Sequence, residues 1–182
     1  MKFKIVIAGL LLPLLAISQP APPVRLAVGD RVPPIVFTEV INYRHSFLDL
    51  NDYKGRVIIL DFWATTCLSC IYHMPVCDSL QTAFGDQIQI ILVNPRISKD
   101  GVKRVNKMMA LVESRTGHHV RLPVALYDDV AYALFPFHFL PHYVWIGSDG
   151  IVKAITDAEA VTATNISALL AGKTLHLPRK ND

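Results

Sequence analysis

An apolar run beginning at Val57 passes through Asp61 and Phe62 into Trp63-Ala-Thr-Thr-Cys67-Leu-Ser-Cys70, and apolar residues at helical spacing take over directly behind the two cysteines. Residues 56–62, Arg-Val-Ile-Ile-Leu-Asp-Phe, are mostly β-branched and apolar apart from Arg56 and Asp61, which predicts a strand buried on both faces. From 68 to 84, Ile71, Met74, Cys77, Leu80 and Phe84 recur three or four positions apart, which predicts a helix. Whatever lies between such a strand and such a helix sits at the strand's C-terminal end and the helix's N-terminus. The cysteines lie there, and the chain is restricted to α/β architectures in which helices cover a sheet.

The remaining segments fit that class. Residues 35–38 and 46–50 are short strand candidates around a polar turn, and 88–93 is a second buried-strand candidate. Val102, Val105, Met109 and Val112 predict one face of a helix over 101–116, with Gly117 ending it. A short extended segment at 122–127 and a one- or two-turn helix at 130–134 follow. Residues 142–146 and 151–155 are strands joined through Asp149-Gly150, a hairpin signal, and a last helix is expected over 162–171. The order predicts a central mixed β-sheet flanked by helices, with an N-terminal β-strand extension.

Lys2 and Lys4 precede an uncharged apolar run at 5–17, interrupted by Pro13. A spanning helix needs roughly 20 residues, so 1–18 reads as a signal peptide, with Ala16 and Ser18 as the small residues of a cleavage site; an uncleaved anchor is the other reading. Residues 19–34, rich in proline, read as an extended arm, 35–176 as one domain, and 177–182 as a polar tail. Without Lys2 and Lys4 the chain has 16 basic and 15 acidic residues, and no basic stripe with interleaved aromatics suggests nucleic acid. No cysteine adjoins the cleavage site, so no stable membrane insertion is expected after cleavage, and the compartment is expected to be oxidising. Three cysteines are too few for a disulfide scaffold, and the Cys67-x-x-Cys70 spacing favours reactivity over stapling.

A thiol attacks as its thiolate, and a helix N-terminus stabilises that anion through unpaired N–H groups and the positive end of its dipole. Cys67 is placed there as the attacking thiol. Cys70, one turn on, is expected to be more buried and to resolve a mixed disulfide formed by Cys67.

Asp61-Phe-Trp-Ala-Thr-Thr-Cys67-Leu-Ser-Cys70, followed by Met74-Pro75, resembles the active segment of the thioredoxin superfamily. Upstream, Val28-Gly-Asp30 with Pro33-Pro34, and Asp52-Tyr-Lys-Gly-Arg56, resemble the TlpA-like and ResA-like branch of exported thiol-disulfide oxidoreductases. The resemblance implies a thioredoxin-like fold and a redox-active Cys67–Cys70 pair without cofactor or metal. It implies protein thiol or disulfide substrates, a membrane electron donor, and the periplasm of a Gram-negative bacterium. It makes Asp61 the buried proton relay, Trp63 the aromatic beneath the active segment, and Pro75 the proline within the helix. Leu140-Pro141 corresponds to the family's cis-proline, with Leu140 offering backbone contacts to an extended substrate.

Two positions depart from the branch. His73 stands where many members carry a glutamate, and Thr66 replaces the tryptophan before the first cysteine; both are expected to tune the pair. A protonated His73 would favour a thiolate at Cys67 or Cys70.

Other chemistries weigh less. Cys67, Cys70, His73 and Cys77 could be metal ligands, but they lie on one continuous helix, poor geometry for tetrahedral zinc. A Cu(I) carrier using Cys67, Cys70 and a distant His142 is a metallochaperone alternative. A peroxiredoxin is another, although no cysteine has that family's Pro-x-x-x-Thr/Ser-x-x-Cys pattern. Cys77 reads as core filling, His142 as structural or surface, and His118 and His119 as loop residues.

Overall fold

A computed structural model describes residues 24–178 and 180; the expected signal peptide, and residues 19–23 of the arm, lie outside the described residues. Twelve strands and helices follow in order. They are β1 (Val36–Phe37), β2 (Val40–Ile41), β3 (Leu48–Asp49), β4 (Val57–Phe62), α1 (Leu68–Phe84), β5 (Ile88–Pro95), α2 (Val102–Thr116), β6 (Val124–Asp128), α3 (Val130–Leu134), β7 (His142–Ile146), β8 (Val152–Thr156) and α4 (Ala163–Leu170). The main sheet has the order β2-β6-β5-β4-β7-β8, with β4, β5 and β6 parallel and the remaining pairs antiparallel.

β4 is buried along its whole length because it is central and helices pack on both faces. Alternation then sorts its side chains. Val57, Ile59 and Trp63 join Met74, Val105, Trp145 and Ile166 on the side of α1, α2 and α4. Ile58, Leu60 and Phe62 join Ile35, Phe37, Ala131 and Phe135 on the other. Asp61 shares the parity of Ile59 and Trp63, so its carboxyl faces α1. On β7 the same rule turns Tyr143 toward α1 and His142 away from it, where its ring meets Phe62 and Phe137 at centroid distances of 5.6 and 5.1 Å.

The expected N-terminal strands pair with each other, β1 with β3, in a separate two-stranded sheet. A strand between them, β2, joins the main sheet instead, beside β6. Two residues are too short to display a period, and Asn42, at φ 55, turns the chain immediately after them. β6 begins two residues later than expected because Pro123 carries no N–H for a ladder; its carbonyl still accepts from Leu92 N–H at 3.0 Å. Gly117 ends α2 with φ 68, its N–H donating to the Glu113 carbonyl at 2.8 Å, the left-handed close expected of glycine there.

α1 is held against the sheet's far end by a carboxylate that the sequence does not advertise. Asp78, buried on α1, accepts from the Arg121 backbone N–H (2.7 Å), the Arg121 guanidinium (3.1 Å) and His118 Nε2 (2.9 Å). Burial pushes its carboxyl up, but the Arg121 N–H and the two side-chain donors outweigh this and hold it below the usual range. Thus His118 is a loop residue that also fastens the helix carrying the cysteines.

Candidate functional site

Cys67 is the N-cap of α1 and Cys70 lies in its first turn, joined by a disulfide with a Cα–Cα distance of 5.4 Å. The Cys70 backbone N–H points at Cys67 Sγ (3.2 Å), one of the orphan donors of a helix start. After reduction the same N–H and the helix dipole favour Cys67 as thiolate. Cys67 is partly exposed, whereas Cys70 is fully buried. Their accessibilities therefore separate a sulfur that can be attacked from outside from one that meets only its neighbour.

The loop bringing the chain from β4 to Cys67 is pinned from the opposite connection. Asp100, at the end of the β5–α2 connection and 2 % exposed, accepts from Thr65 N–H (2.7 Å), the Thr65 hydroxyl (2.5 Å) and the Asn94 amide (3.0 Å). Arg104 stands 3.5 Å away. Burial raises the Asp100 carboxyl, but the Thr65 hydroxyl and N–H and the Asn94 amide bring it below its ordinary value. Asp100→Ala would leave the Thr65 N–H and hydroxyl buried without an acceptor, and the Asn94 amide with the Trp63 carbonyl alone (3.3 Å). We expect a loss of about 3 kcal/mol in urea unfolding; an unchanged midpoint would show that the loop is held otherwise.

A polar cluster lies inside the apolar core that also holds Cys70. Asp61 is fully buried, and its Oδ2 accepts from the Tyr143 hydroxyl (2.9 Å) and the Cys77 thiol (3.7 Å). Its Oδ1 has no hydrogen-bond partner among the described residues. Desolvation dominates, and although the Tyr143 and Cys77 donors pull the other way, the carboxyl is pushed up to about 8. Asp61 is thus mostly protonated at pH 7, with its ionised form in the minority. Cys77 is buried, as a core residue should be, but it is also a polar contact: its Sγ lies 3.4 Å from His73 Nδ1 and 3.9 Å from the Tyr143 hydroxyl. Burial, then the Asp61 charge, raises both the Cys77 thiol and the Tyr143 phenol well above their usual values, so both keep their protons.

His73 is half-buried on α1, with Nδ1 3.0 Å from the Tyr143 hydroxyl. Its ring contacts run to Tyr143 and Cys77, and burial lowers its pKa, with Glu159 opposing, so the imidazolium is disfavoured at neutral pH. Trp63 is fully buried below the loop, its backbone N–H bonded to the Val93 carbonyl at 3.0 Å. Pro75 lies inside α1 and removes one bond from its ladder. Thr66 is exposed at the mouth of the site.

The Leu140–Pro141 peptide bond is cis. An open groove runs beside Cys67, lined by Thr66, Leu68, Ile97, Phe139 and Leu140 among others, and Leu68, Ile97 and Phe139 are exposed apolar side chains. Across the loop, Lys180 donates from Nζ to the Phe139 carbonyl and to the Pro141 carbonyl (2.6 Å) and stands 3.7 Å from Asp157. A residue read as polar tail thereby clasps the two sides of the cis-proline. Thr66 and Leu140 line the groove beside Cys67, with Pro141 next to Leu140 across the cis bond, whereas the His142 ring meets Phe62 and Phe137 on the other face of the sheet. Among the described residues no group of three or more His, Cys, Asp or Glu side chains could hold a metal ion. Asp100, Tyr143 and Lys180 were invisible as site residues because Thr65, Asp61 and the Pro141 carbonyl, which place them at the site, are 35, 82 and 39 positions away.

No family model matches the chain. It is 34% identical over 77 residues to thiol-disulfide oxidoreductase ResA of Geobacillus kaustophilus, a match covering 40% of this chain and 42% of that protein. It is 36% identical over 56 residues to the thioredoxin-like protein YneN of Bacillus subtilis, covering 31% and 33%. The chain spans under half the length of the curated relatives it matches. Among solved structures, a thioredoxin-family thiol:disulfide interchange protein from Chlorobium tepidum aligns with a TM-score of 0.63 at 15% identity, covering 79% of this chain and 98% of that one. The thioredoxin domain of a thiol-disulfide oxidoreductase from Bacteroides vulgatus aligns with a TM-score of 0.59 at 20% identity, covering 81% and 97%. These structures establish a thioredoxin-like fold, and over less than half of its length the chain is similar in sequence to ResA thiol-disulfide oxidoreductases.

Proposed function

We propose that the chain is a thiol-disulfide oxidoreductase that reduces disulfides in exported proteins through Cys67 and Cys70. The observation that carries this reading is the division of labour at the disulfide: Cys67 partly exposed at a helix N-terminus beside a groove, Cys70 buried behind it. In the reduced enzyme the Cys67 thiolate attacks one sulfur of a client disulfide, and the other client sulfur leaves as a thiolate. The ionised form of Asp61 takes the proton of Cys70, which then attacks Cys67 in the mixed disulfide and releases the second client thiolate. The client is reduced by two electrons and the Cys67–Cys70 disulfide forms. An electron donor on the membrane restores the dithiol.

The apolar side chains of Leu68, Ile97 and Phe139 suit an extended client segment with apolar residues around its cysteine. Leu140 and Pro141 would offer backbone pairing to that segment. His73 and Thr66, in place of more usual residues, set the potential of the pair, with Trp63 and Pro75 fixing the frame around it. Export to a periplasm rests on the leader pattern of residues 1–18, and no described helix is long and apolar enough to cross a membrane. Redox titration of Cys67–Cys70 beside an insulin-reduction assay tests the direction. A potential near about −270 mV with catalysed insulin reduction is expected, whereas one near about −120 mV would make the protein an oxidant.

A further inference from the structure

Asp61 is sealed from water, yet a carboxyl that serves a thiol pair must gain and lose a proton each cycle. Two side chains form a continuous line from it to the surface. The Tyr143 hydroxyl donates to Asp61 Oδ2 at 2.9 Å, and His73 Nδ1 lies 3.0 Å from that hydroxyl. The ring's other nitrogen, Nε2, makes no hydrogen bond among the described residues, and the residue is only partly buried, so that nitrogen is left to water. The single phenolic hydrogen is committed to Asp61, so the tautomer with hydrogen on Nδ1 completes the line.

We propose that His73 and Tyr143 are the route by which protons pass between solvent and buried Asp61. The inference rests on the exchange reading above and assigns His73 and Tyr143 as positioning residues that act through Asp61. A proton from water adds to His73 Nε2. The Nδ1 hydrogen moves to the Tyr143 oxygen as the phenolic hydrogen moves to Asp61 Oδ2. The ring ends neutral with hydrogen on Nε2, one proton has passed from solvent to Asp61, and no group changes oxidation state. The reverse shift discharges Asp61.

From α1, Cys77 donates weakly to Asp61 Oδ2 and lines the path, and Asp78 acts on Cys77. From β7 the facing group is Tyr143, and Glu159, before α4, raises His73 against its burial. A His73 pKa below its ordinary value suits a relay, because the ring releases a captured proton readily.

Carbon-13 labelling of aspartate carboxyls reads Asp61 in the disulfide form near pH 8, where its two protonation states coexist. Wild type is expected to give one resonance averaged by fast exchange. In Tyr143→Phe and His73→Ala the exchange is expected to slow by about tenfold or more. Added imidazole should restore the rate in His73→Ala and not in Tyr143→Phe. Equal exchange rates in all three proteins, or slowing in His73→Ala that imidazole leaves untouched, would overturn the route. His73 is only partly buried, so its variant keeps the test decisive where Tyr143→Phe disturbs folding. The measurement needs no client, so inactivity of wild type toward insulin would refute disulfide exchange while leaving the proton route measured.

Discussion

Replacing Asp61 by asparagine is expected to raise the stability of the protein at pH 7 by about 3 kcal/mol. The folded carboxyl titrates at about 8 against 3.8 for an ordinary aspartate, because the site withholds solvent from the charged form and Oδ1 has no partner among the described residues. Between those two values the unfolded chain ionises at residue 61 and the folded chain does not. The folded state therefore binds more protons, and stability falls as pH rises through the window. The full effect across a window of about four units is on the order of 5 kcal/mol, of which roughly 4 is felt at pH 7. Asparagine keeps an acceptor for Tyr143 but buries an amide with incomplete partners, which offsets about 1 kcal/mol. Urea unfolding of wild type and Asp61→Asn at pH 4, 6 and 8 checks this. The variant should lie about 1 kcal/mol below wild type near pH 4 and overtake it progressively toward pH 8; parallel pH dependence would mean that Asp61 is not the buried acid described. A residue retained against such a cost fits a functional group held in an unfavourable environment.

Cys67→Ser is expected to reduce insulin turnover to the uncatalysed background, a fall of roughly three orders of magnitude or more. Serine preserves the N-cap, since its hydroxyl accepts the Cys70 N–H as well as sulfur does, and α1 should remain intact. What disappears is an atom able to be a nucleophile near neutral pH and to accept a disulfide bond. Cys77 cannot substitute, because it is buried and its thiol is pushed well above its ordinary value by desolvation and by the Asp61 charge. Unchanged circular dichroism with activity lost would assign the effect to chemistry. Measurable turnover in Cys67→Ser would remove Cys67 from the central role.

What the sequence disclosed followed the length of each pattern. β4 and α1 were legible because a buried run and a helical repeat meet at the cysteines, and the register of Asp61, Cys67 and Cys70 followed from that junction. β2 was not, because two residues carry no period. The same holds for the polar fastenings. Asp78 and Asp100 are lone acids in the sequence, and only the fold brings Arg121 and Thr65 to them across 43 and 35 positions. His73 was recognisable as an unusual residue beside the motif. Its neighbours Tyr143 and Cys77, and the burial that disfavours its charge, emerge only when β7 lies against β4 and α1 covers both.

The most direct measurement is covalent trapping with Cys70→Ser. Without the resolving sulfur, attack by Cys67 on a client disulfide should stop at a stable mixed disulfide, one client chain per molecule, cleaved by added dithiol. Peptide mass mapping is expected to place the bond at Cys67. A bond at Cys77, or no adduct with a protein whose Cys67 is free and reduced, would contradict attack by Cys67 and resolution by Cys70.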